Sequence, residues 1–259
     1  MEMMENLQKI ARQCGEIMLS AEDIERNITE KEGQKNFVTK YDVLVQKTLQ
    51  KELLALYPEA HFYGEEDDQQ DDVHSGMRFI VDPIDGTTNF IKGYRVSAVS
   101  IGVAKDGEII CGVVYDPYTD TMYHAEKGKG AYVNGKRVYV SDCSLANSMV
   151  CVGTAPYYAE YTDRTFALAR ALFDNALDLR RSGSAALDLC AVGCGRADLM
   201  TEWVVCPWDF AAAKCIIEEA GGIMTQIDGS PMKLDGKCSI LAGGKRAHAE
   251  FFEKGLHKI

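Results

Sequence analysis

The feature that most constrains the fold of this chain is a change of pattern near residue 140. Between Val96 and Val140, short β-type runs are separated by turn sequences such as KDGE and VNGK, which predicts an antiparallel meander. Beyond Ser141, strand-type and helix-type runs alternate from SMVCVGT to GIMTQIDG. The sequence therefore predicts an α+β half over residues 1–140 and an α/β half over residues 141–259, packed together as one unit.

Two helices are predicted ahead of the meander. Apolar residues recur at helical spacing from about residue 5 to 25, and a second apolar face begins near Asp42 and ends at Tyr57-Pro58. Two strands, HFYGEE and RFIVD, follow. The acidic sequence EEDDQQDDVHSG between them has no periodicity and predicts an exposed loop.

Composition excludes several classes of protein. The chain has 259 residues, 46% of them hydrophobic, and a formal net charge of −11, which argues against a nucleic-acid partner. No run has the length of a membrane span, and the N-terminus is acidic where a signal peptide would be basic, so we expect a cytoplasmic protein. Nine scattered cysteines without a CxxC pair are expected to be buried, reduced thiols.

The segment FIVDPIDGTTNFIKG carries the clearest chemistry. Asp82 ends a buried strand, and Pro83 bends the chain so that Asp82 and Asp85 can converge. Two close carboxylates need a cation between them, and oxygen ligands suit Mg²⁺, Mn²⁺ or Ca²⁺. Gly86 and Thr87 then begin a helix whose free N–H groups can bind phosphate. A plain turn followed by a helix cap explains each residue separately, but it explains the combination poorly.

Two further acidic segments support a metal site. The sequence FYGEED places Glu65 and Glu66 at the end of a predicted strand, and CPWDFAAAKCIIEEAGG places Asp209 at the start of a helix. Either segment alone is also typical of an acidic loop or a helix cap.

Together, GEE, VDPIDGTTNF and PWDFAAAKCIIEEAGG resemble the inositol monophosphatase family of Mg²⁺-dependent, lithium-sensitive sugar phosphatases, and the likeness covers most of the chain. The resemblance implies a layered αβαβα sandwich and more than one Mg²⁺ per site, with Mn²⁺ as a substitute and Li⁺ as an inhibitor. It also implies a homodimer and direct attack on a phosphate monoester by a water that the metal activates.

The resemblance assigns roles by position. Asp42 and Thr87 match the pair that activates water, and Glu66 matches a residue acting through water or behind the ligands. Gly86 and Thr87 match the phosphate donors, and Lys31 matches a basic residue over the metals. The implied metal ligands are Glu65, Asp82, the carbonyl of Ile84, Asp85 and Asp209. The implied substrate contacts are Gly183, Ser184, Ala185 and Glu202.

The substrate stays open at this point. The form DGTTNF and Glu202 favour inositol 1-phosphate or a similar polyol phosphate, with fructose 1,6-bisphosphate or histidinol phosphate as alternatives. A non-catalytic binding subunit is the alternative from another class of function, and it is disfavoured because every implied ligand is present. Arg180 and Arg181 fit either a substrate or partner contact or a solvated strand edge.

Overall fold

The computed structural model describes residues 2–30, 37–67 and 75–259, and within these ranges it consists of helices packed on two large sheets. The helices are α1 (Glu2–Leu19), α2 (Lys40–Leu56), α3 (Thr87–Ile91), α4 (Thr162–Asn175), α5 (Ala185–Gly193), α6 (Pro207–Glu219) and α7 (Lys245–Glu253). The strands are β1 (Ile28–Glu30), β2 (Phe37–Thr39), β3 (His61–Gly64), β4 (Met77–Asp85), β5 (Ala98–Lys105), β6 (Glu108–Asp116), β7 (Thr121–Glu126), β8 (Gly130–Val133), β9 (Lys136–Val138), β10 (Met149–Val152), β11 (Asp178–Arg180), β12 (Leu199–Val205), β13 (Ile223–Thr225) and β14 (Cys238–Gly243).

The two large sheets use different strand connections. The first has seven strands in the order β3-β4-β5-β6-β7-β8-β9, antiparallel from β4 onward, and tight turns join β5 to β9. The second has five strands in the order β11-β10-β12-β14-β13, with β10 parallel to both of its neighbours. Parallel neighbours need a crossover, and helices provide it here.

Three apolar cores separate five layers. The first core lies between α1, α2 and one face of the seven-stranded sheet, and it contains Leu7, Leu49 and Val113. The second surrounds α5 and α6 between the two sheets, and the third packs α4 and α7 on the outer face of the five-stranded sheet. This order confirms the predicted αβαβα sandwich.

The close approach of α6 to the first sheet depends on a pair of glycines. Gly102 on β5 faces Gly112 on β6, and a Cβ at either position would overlap Ala211 or Ala212 of α6. Small residues on both surfaces therefore let the helix lie directly on the strands. This contact places the first turn of α6, which contains Asp209, beside the end of β4.

Several sequence predictions are confirmed, and some bounds were wrong. The meander and the alternating second half are present. The first helix ends at Leu19 and not near residue 25, and a separate 3-10 helix follows Asp23, which lies in the left-handed region (φ 51°). Strand β14 and helix α7 were missed. The division at residue 140 stays a prediction. Among the described residues, no helix is both long and apolar enough to cross a membrane.

Candidate active site

A β-bulge brings the first two aspartates of the site onto one face of the sheet. Residues three apart on a regular strand point to opposite faces. Asp82 pairs with Ser100 and Asp85 with Ala98, so β4 holds one more residue than β5 between these pairs. The extra residue reverses the alternation, and the Ile84 N–H donates to Asp82 Oδ1 at 3.0 Å within the bend. The side chains of Asp82 and Asp85 therefore converge around Pro83, as predicted.

Three carboxylates form a cluster that could hold a cation. Oxygen atoms of Asp82, Asp85 and Asp209 lie within 4.8 Å of one another. Asp82 and Asp85 are buried, and Asp209 is half-buried at the third position of α6. The Cys206 N–H donates to Asp209 Oδ2 at 2.6 Å, which fixes that side chain as part of the helix N-cap. We call these three residues the carboxylate cage.

The electrostatics of the carboxylate cage match a site built for positive charge. Burial raises the pKa of Asp85 to about 7, and it raises the pKa of Asp82 and of Asp209 well above the ordinary range. The charge of Glu65 is the next largest cause for Asp82. Three carboxyl groups this close repel one another when they are all ionised, and a divalent cation removes that repulsion. The donor set of carboxylate oxygens is the one that Mg²⁺ prefers.

Asp85 joins the two halves of the chain. Its carboxylate accepts hydrogen bonds from the hydroxyl of Ser184 and from the backbone N–H groups of Ala185 (3.2 Å) and Ala186 (3.0 Å). These donors form the N-terminus of α5, whose dipole favours a negative charge. Ser184 is itself buried, so its side chain is directed at Asp85 in this structure.

The Asp42–Thr87 pair lies beside the cage. The hydroxyl of Thr87 is 3.2 Å from Asp42 Oδ1 and 3.1 Å from the carbonyl oxygen of Ile84. Thr39 holds the other Asp42 oxygen through its N–H (2.8 Å) and its hydroxyl (2.5 Å), because the two residues form the capping box of α2. Burial is the largest cause that raises the pKa of Asp42. Asp42 is thus a buried, oriented acceptor.

The turn after Asp85 has the backbone expected of an anion site. Gly86 adopts φ 86°, and a Cβ there would lie 2.9 Å from the Val96 carbonyl oxygen, so glycine is required. Helix α3 begins at Thr87, and the first N–H groups of a helix have no acceptor within it. The predicted phosphate donors, Gly86 and Thr87, therefore stand at a helix start next to the cage.

Glu65 and Glu66 follow β3, and both are half-buried. Glu65 is outside the cluster of three, but its charge acts on Asp42, Asp82 and Asp209. The Glu66 N–H donates to Gln46 Oε1 at 2.9 Å. The predicted Lys31 lies outside the described residues, as do residues 68–74 of the predicted acidic loop.

The second half contributes a different kind of surface. Glu202 on β12 accepts the Ala155 N–H at 2.8 Å, and burial raises the pKa of Glu202 to about 7. Gly183 (φ 90°) lies against the guanidinium of Arg181, which also acts electrostatically on Glu202. Arg180 pairs with Asp178 on the exposed edge strand β11.

Three residues near the site were not found by sequence reasoning. Thr39 was missed although its spacing to Asp42 is that of a capping box, which the sequence does contain. Gln46 holds the segment after β3 by bonding Glu66 and Asp67, but a lone glutamine within a helix carries no signal. Tyr157 lies near Glu65, Asp85 and Asp209, and its loop has no periodic pattern.

Comparison with known proteins agrees with this geometry. The sequence pattern described as the inositol monophosphatase family matches residues 1–258. The fructose-1,6-bisphosphatase/inositol-1-monophosphatase of Aquifex aeolicus is 39% identical over 223 residues, which cover 86% of this chain and 82% of that protein. Nus factor SuhB of Vibrio cholerae is 35% identical over 223 residues, which cover 85% of this chain and 84% of that protein.

The fold is also found among solved structures. Extragenic suppressor protein suhB from Bartonella henselae aligns with a TM-score of 0.91 at 31% sequence identity, covering 99% of this chain and 98% of that chain. Sequence and fold thus agree over almost the full length. The chain therefore belongs to the inositol monophosphatase family, a family of phosphatases.

Proposed function

We propose that the protein is a Mg²⁺-dependent hydrolase of phosphate monoesters, with inositol 1-phosphate or a similar polyol phosphate as its substrate. The observation that carries the proposal is the position of the buried carboxylate cage beside the Asp42–Thr87 pair. A cation site next to an oriented proton acceptor is what hydrolysis of a phosphate ester by water requires.

The cage residues Asp82, Asp85 and Asp209 would hold the metal, together with Glu65 and the carbonyl of Ile84. Bound magnesium would neutralise these carboxylates, stabilise negative charge on the phosphate and the leaving oxygen, and make the attacking water more acidic. Manganese has similar oxygen preferences and is expected to substitute. We propose more than one ion per site, and inhibition by Li⁺, on the basis of the family resemblance.

The Asp42–Thr87 pair would orient and deprotonate the water. The Thr87 hydroxyl has one hydrogen and two nearby acceptors, Asp42 and the Ile84 carbonyl. If the carbonyl binds the metal, the hydroxyl donates to Asp42, and its lone pairs then accept a hydrogen from water. Asp42 takes up the proton, because a buried carboxylate with a raised pKa is a better base than an exposed one.

The phosphate and alcohol parts of the substrate would meet different elements. The N–H groups of Gly86 and Thr87 at the start of α3 suit phosphate. Glu202 and the Gly183–Ala185 segment, from the second half, suit the hydroxyl groups of a polyol. The name of the Aquifex relative supports fructose 1,6-bisphosphate as the second candidate substrate. Arg181, beside Gly183, is a cation that a second phosphate could use.

The proposal is tested by phosphate release from inositol 1-phosphate, fructose 1,6-bisphosphate, histidinol phosphate, NADP and adenosine 3′,5′-bisphosphate. Each ester is assayed with Mg²⁺, with EDTA and with added Li⁺. We expect Mg²⁺-dependent turnover that is highest for inositol 1-phosphate and that Li⁺ suppresses. A different leading ester would replace the substrate and keep the reaction. No release from a folded protein saturated with Mg²⁺ would instead favour a non-catalytic binding role.

We also propose a homodimer in the cytoplasm. Phe166 and Phe173 on α4 and Leu177, just before the edge strand β11, are exposed apolar residues. Exposed strand edges and contiguous apolar surface are typical of association sites. Sedimentation should give a dimer mass for the wild type and a monomer mass for Leu177→Asp, with Leu19→Asp, at an exposed position of α1, as the control.

A further inference from the structure

Tyr157 is an aromatic residue beside the carboxylate cage that has no role in the proposed reaction. It lies in the loop that follows β10, and its phenol lies near the hydroxyl of Thr88, the residue after Thr87. The residue is 38% exposed, although Asp85, whose charge acts on it, is buried. Its ring therefore borders solvent at the mouth of the site.

The phenol of Tyr157 is neutral at physiological pH. Burial and then the charge of Glu65 raise its pKa to about 12, with further contributions from Asp209 and Asp85. A neutral phenol adds no negative charge to the path of an anionic ester. It can still donate a hydrogen bond to a ligand hydroxyl.

The loop that carries Tyr157 is fixed from two sides. Glu202 accepts the N–H of Ala155, and Ala155 adopts the left-handed region at φ 40°. An alanine persists in that region only where its surroundings hold it there. On the other side, the Tyr158 N–H donates to the Ala155 carbonyl at 3.0 Å, and the Lys237 ammonium lies 4.7 Å from the centre of the Tyr158 ring. Tyr157 is thus held between Glu202 and Thr88.

A fixed aromatic ring next to hydroxyl and carboxyl groups suits a particular kind of ligand. A cyclic polyol has faces of C–H groups and an edge of hydroxyl groups. An aromatic face can pack against the former, while Glu202 and the phenol can bond the latter. A small acyclic alcohol has no such face to offer.

We propose that Tyr157 is a specificity-determining residue for the alcohol part of the phosphate ester, acting as an aromatic wall that packs against a ring-shaped polyol. The inference rests on the proposed function, because it assumes that a phosphate ester binds at the carboxylate cage. It assigns Tyr157 to substrate binding and not to the chemical step.

The test compares Tyr157→Ala and Tyr157→Phe on two esters, inositol 1-phosphate and glycerol 2-phosphate, with Mg²⁺ present. We expect Tyr157→Ala to raise KM for inositol 1-phosphate about tenfold, since an apolar contact of this size is lost. KM for glycerol 2-phosphate and kcat for both esters should change by less than about threefold. Tyr157→Phe keeps the ring and should stay within about threefold of the wild type.

Inhibition constants add a readout without turnover: free inositol should bind Tyr157→Ala less tightly, and inorganic phosphate should bind equally well.

The matched control is Tyr139→Ala, since Tyr139 is 61% exposed just after β9 and outside the site. It should leave every constant at the wild-type value. An equal rise of KM for both esters, a loss confined to kcat, or no change in Tyr157→Ala would each overturn the inference. In these cases the active wild type leaves the proposed function standing. A wild type that hydrolyses neither ester would overturn this inference, and the proposed function would fall with it only if fructose 1,6-bisphosphate, histidinol phosphate, NADP and adenosine 3′,5′-bisphosphate also released no phosphate.

Discussion

The two sides of the candidate site are built in opposite ways. On the side that we propose binds metal, the aspartates are enclosed and held by backbone N–H groups from separate elements. These donors are Ile84 for Asp82, Ala185 and Ala186 for Asp85, and Cys206 for Asp209. On the alcohol side Tyr157 and Arg181 are exposed, and the loop bonded to Glu202 contains a residue with positive φ.

The difference separates the reaction from the substrate. Fixed dipoles around buried charges stabilise the charge that develops on the phosphate group during the reaction. This part of the chemistry is shared by all phosphate esters. Exposed side chains on a loop can change without disturbing the core. We therefore expect substitutions on the metal side to abolish turnover of every ester, and substitutions on the alcohol side to alter the preference among esters.

The largest effect is expected from Asp85→Asn on the metal side. Asparagine keeps the shape but removes a negative charge from the cage, and its amide NH₂ would face the donors of α5. We expect kcat/KM to fall at least about thousandfold for every ester, because the cation is no longer held. Calorimetry should show that Mg²⁺ no longer raises the unfolding temperature.

Folding of this variant can be checked independently. At pH 8 without metal, Asp85→Asn relieves the repulsion among the carboxylates but leaves a donor of α5 without its acceptor. These effects oppose each other, so the variant should still unfold cooperatively, within about 5 °C of the wild type. Asp174→Asn is the matched control, since Asp174 is exposed on α4 and paired with Arg170. Retained turnover in folded Asp85→Asn would show that the cage is not the metal site.

The next largest effect is expected from Thr87→Val, which tests the water-activating pair without touching the cage. Valine has the same shape and cannot donate to Asp42, so kcat should fall about a hundredfold to a thousandfold. Stabilisation by Mg²⁺ should be unchanged, in contrast to Asp85→Asn. Thr87→Ser retains the hydroxyl and should keep kcat within about tenfold of the wild type. Equal losses in both variants would contradict a role for the hydroxyl.

The contrast between the two sides also explains how much the sequence could predict. Asp85 stands at the end of a strand and Asp209 at the start of a helix, where local patterns are strong. Asp82 could be found from the Pro83 that follows it, but the prediction that the strand ends at Asp82 was wrong, because β4 continues through a bulge to Asp85. The change of pattern near residue 140 predicted an α+β half and an α/β half, and the αβαβα layering followed from the family resemblance. The contact between Ser184 and Asp85 joins residues 99 positions apart, and no local pattern reports it.

The alcohol side could not be predicted in the same way. Ala155 has no residue type that signals a left-handed turn, and Tyr157 sits in a loop without periodicity. Strand β14 and helix α7 were missed although CSILAG is an apolar run and KRAHAEFFE has helical spacing, because runs of six and nine residues are too short for periodicity to separate strand from helix. Sequence patterns thus predicted the aspartates of the cage, whereas the exposed loop around Tyr157 was found only in the structure.

A smaller effect is expected from pH on metal binding. The pKa of Asp85 in the folded chain is about 7, above its ordinary value of 3.8, so the metal-free protein retains a proton that the unfolded chain releases between these values. Stability of the metal-free protein should therefore fall as the pH rises through this window.

Protons and Mg²⁺ compete for the carboxylate, so the apparent Kd for Mg²⁺ should fall about tenfold from pH 6 to pH 8. Isothermal titration at both values measures this, and a pH-independent Kd would place Mg²⁺ elsewhere.

The smallest effect is expected on the alcohol side, from Gly153→Ala. A Cβ at Gly153 would lie 2.0 Å from Glu202 Oε2, so the Glu202 side chain must rotate away and lose its bond to Ala155. Overpacking of this kind costs about 1–3 kcal/mol, which corresponds to a decrease of about 5 °C in Tm. KM for inositol 1-phosphate should rise about fivefold while kcat changes by less than about twofold, because the cage and the Asp42–Thr87 pair are untouched. Gly236→Ala is the control, since a Cβ there meets no atom within 4 Å. If Tm falls but KM for every ester is unchanged, Glu202 supports the loop and does not bind the alcohol. The contrast between the two sides of the site would then concern protein stability and not substrate preference.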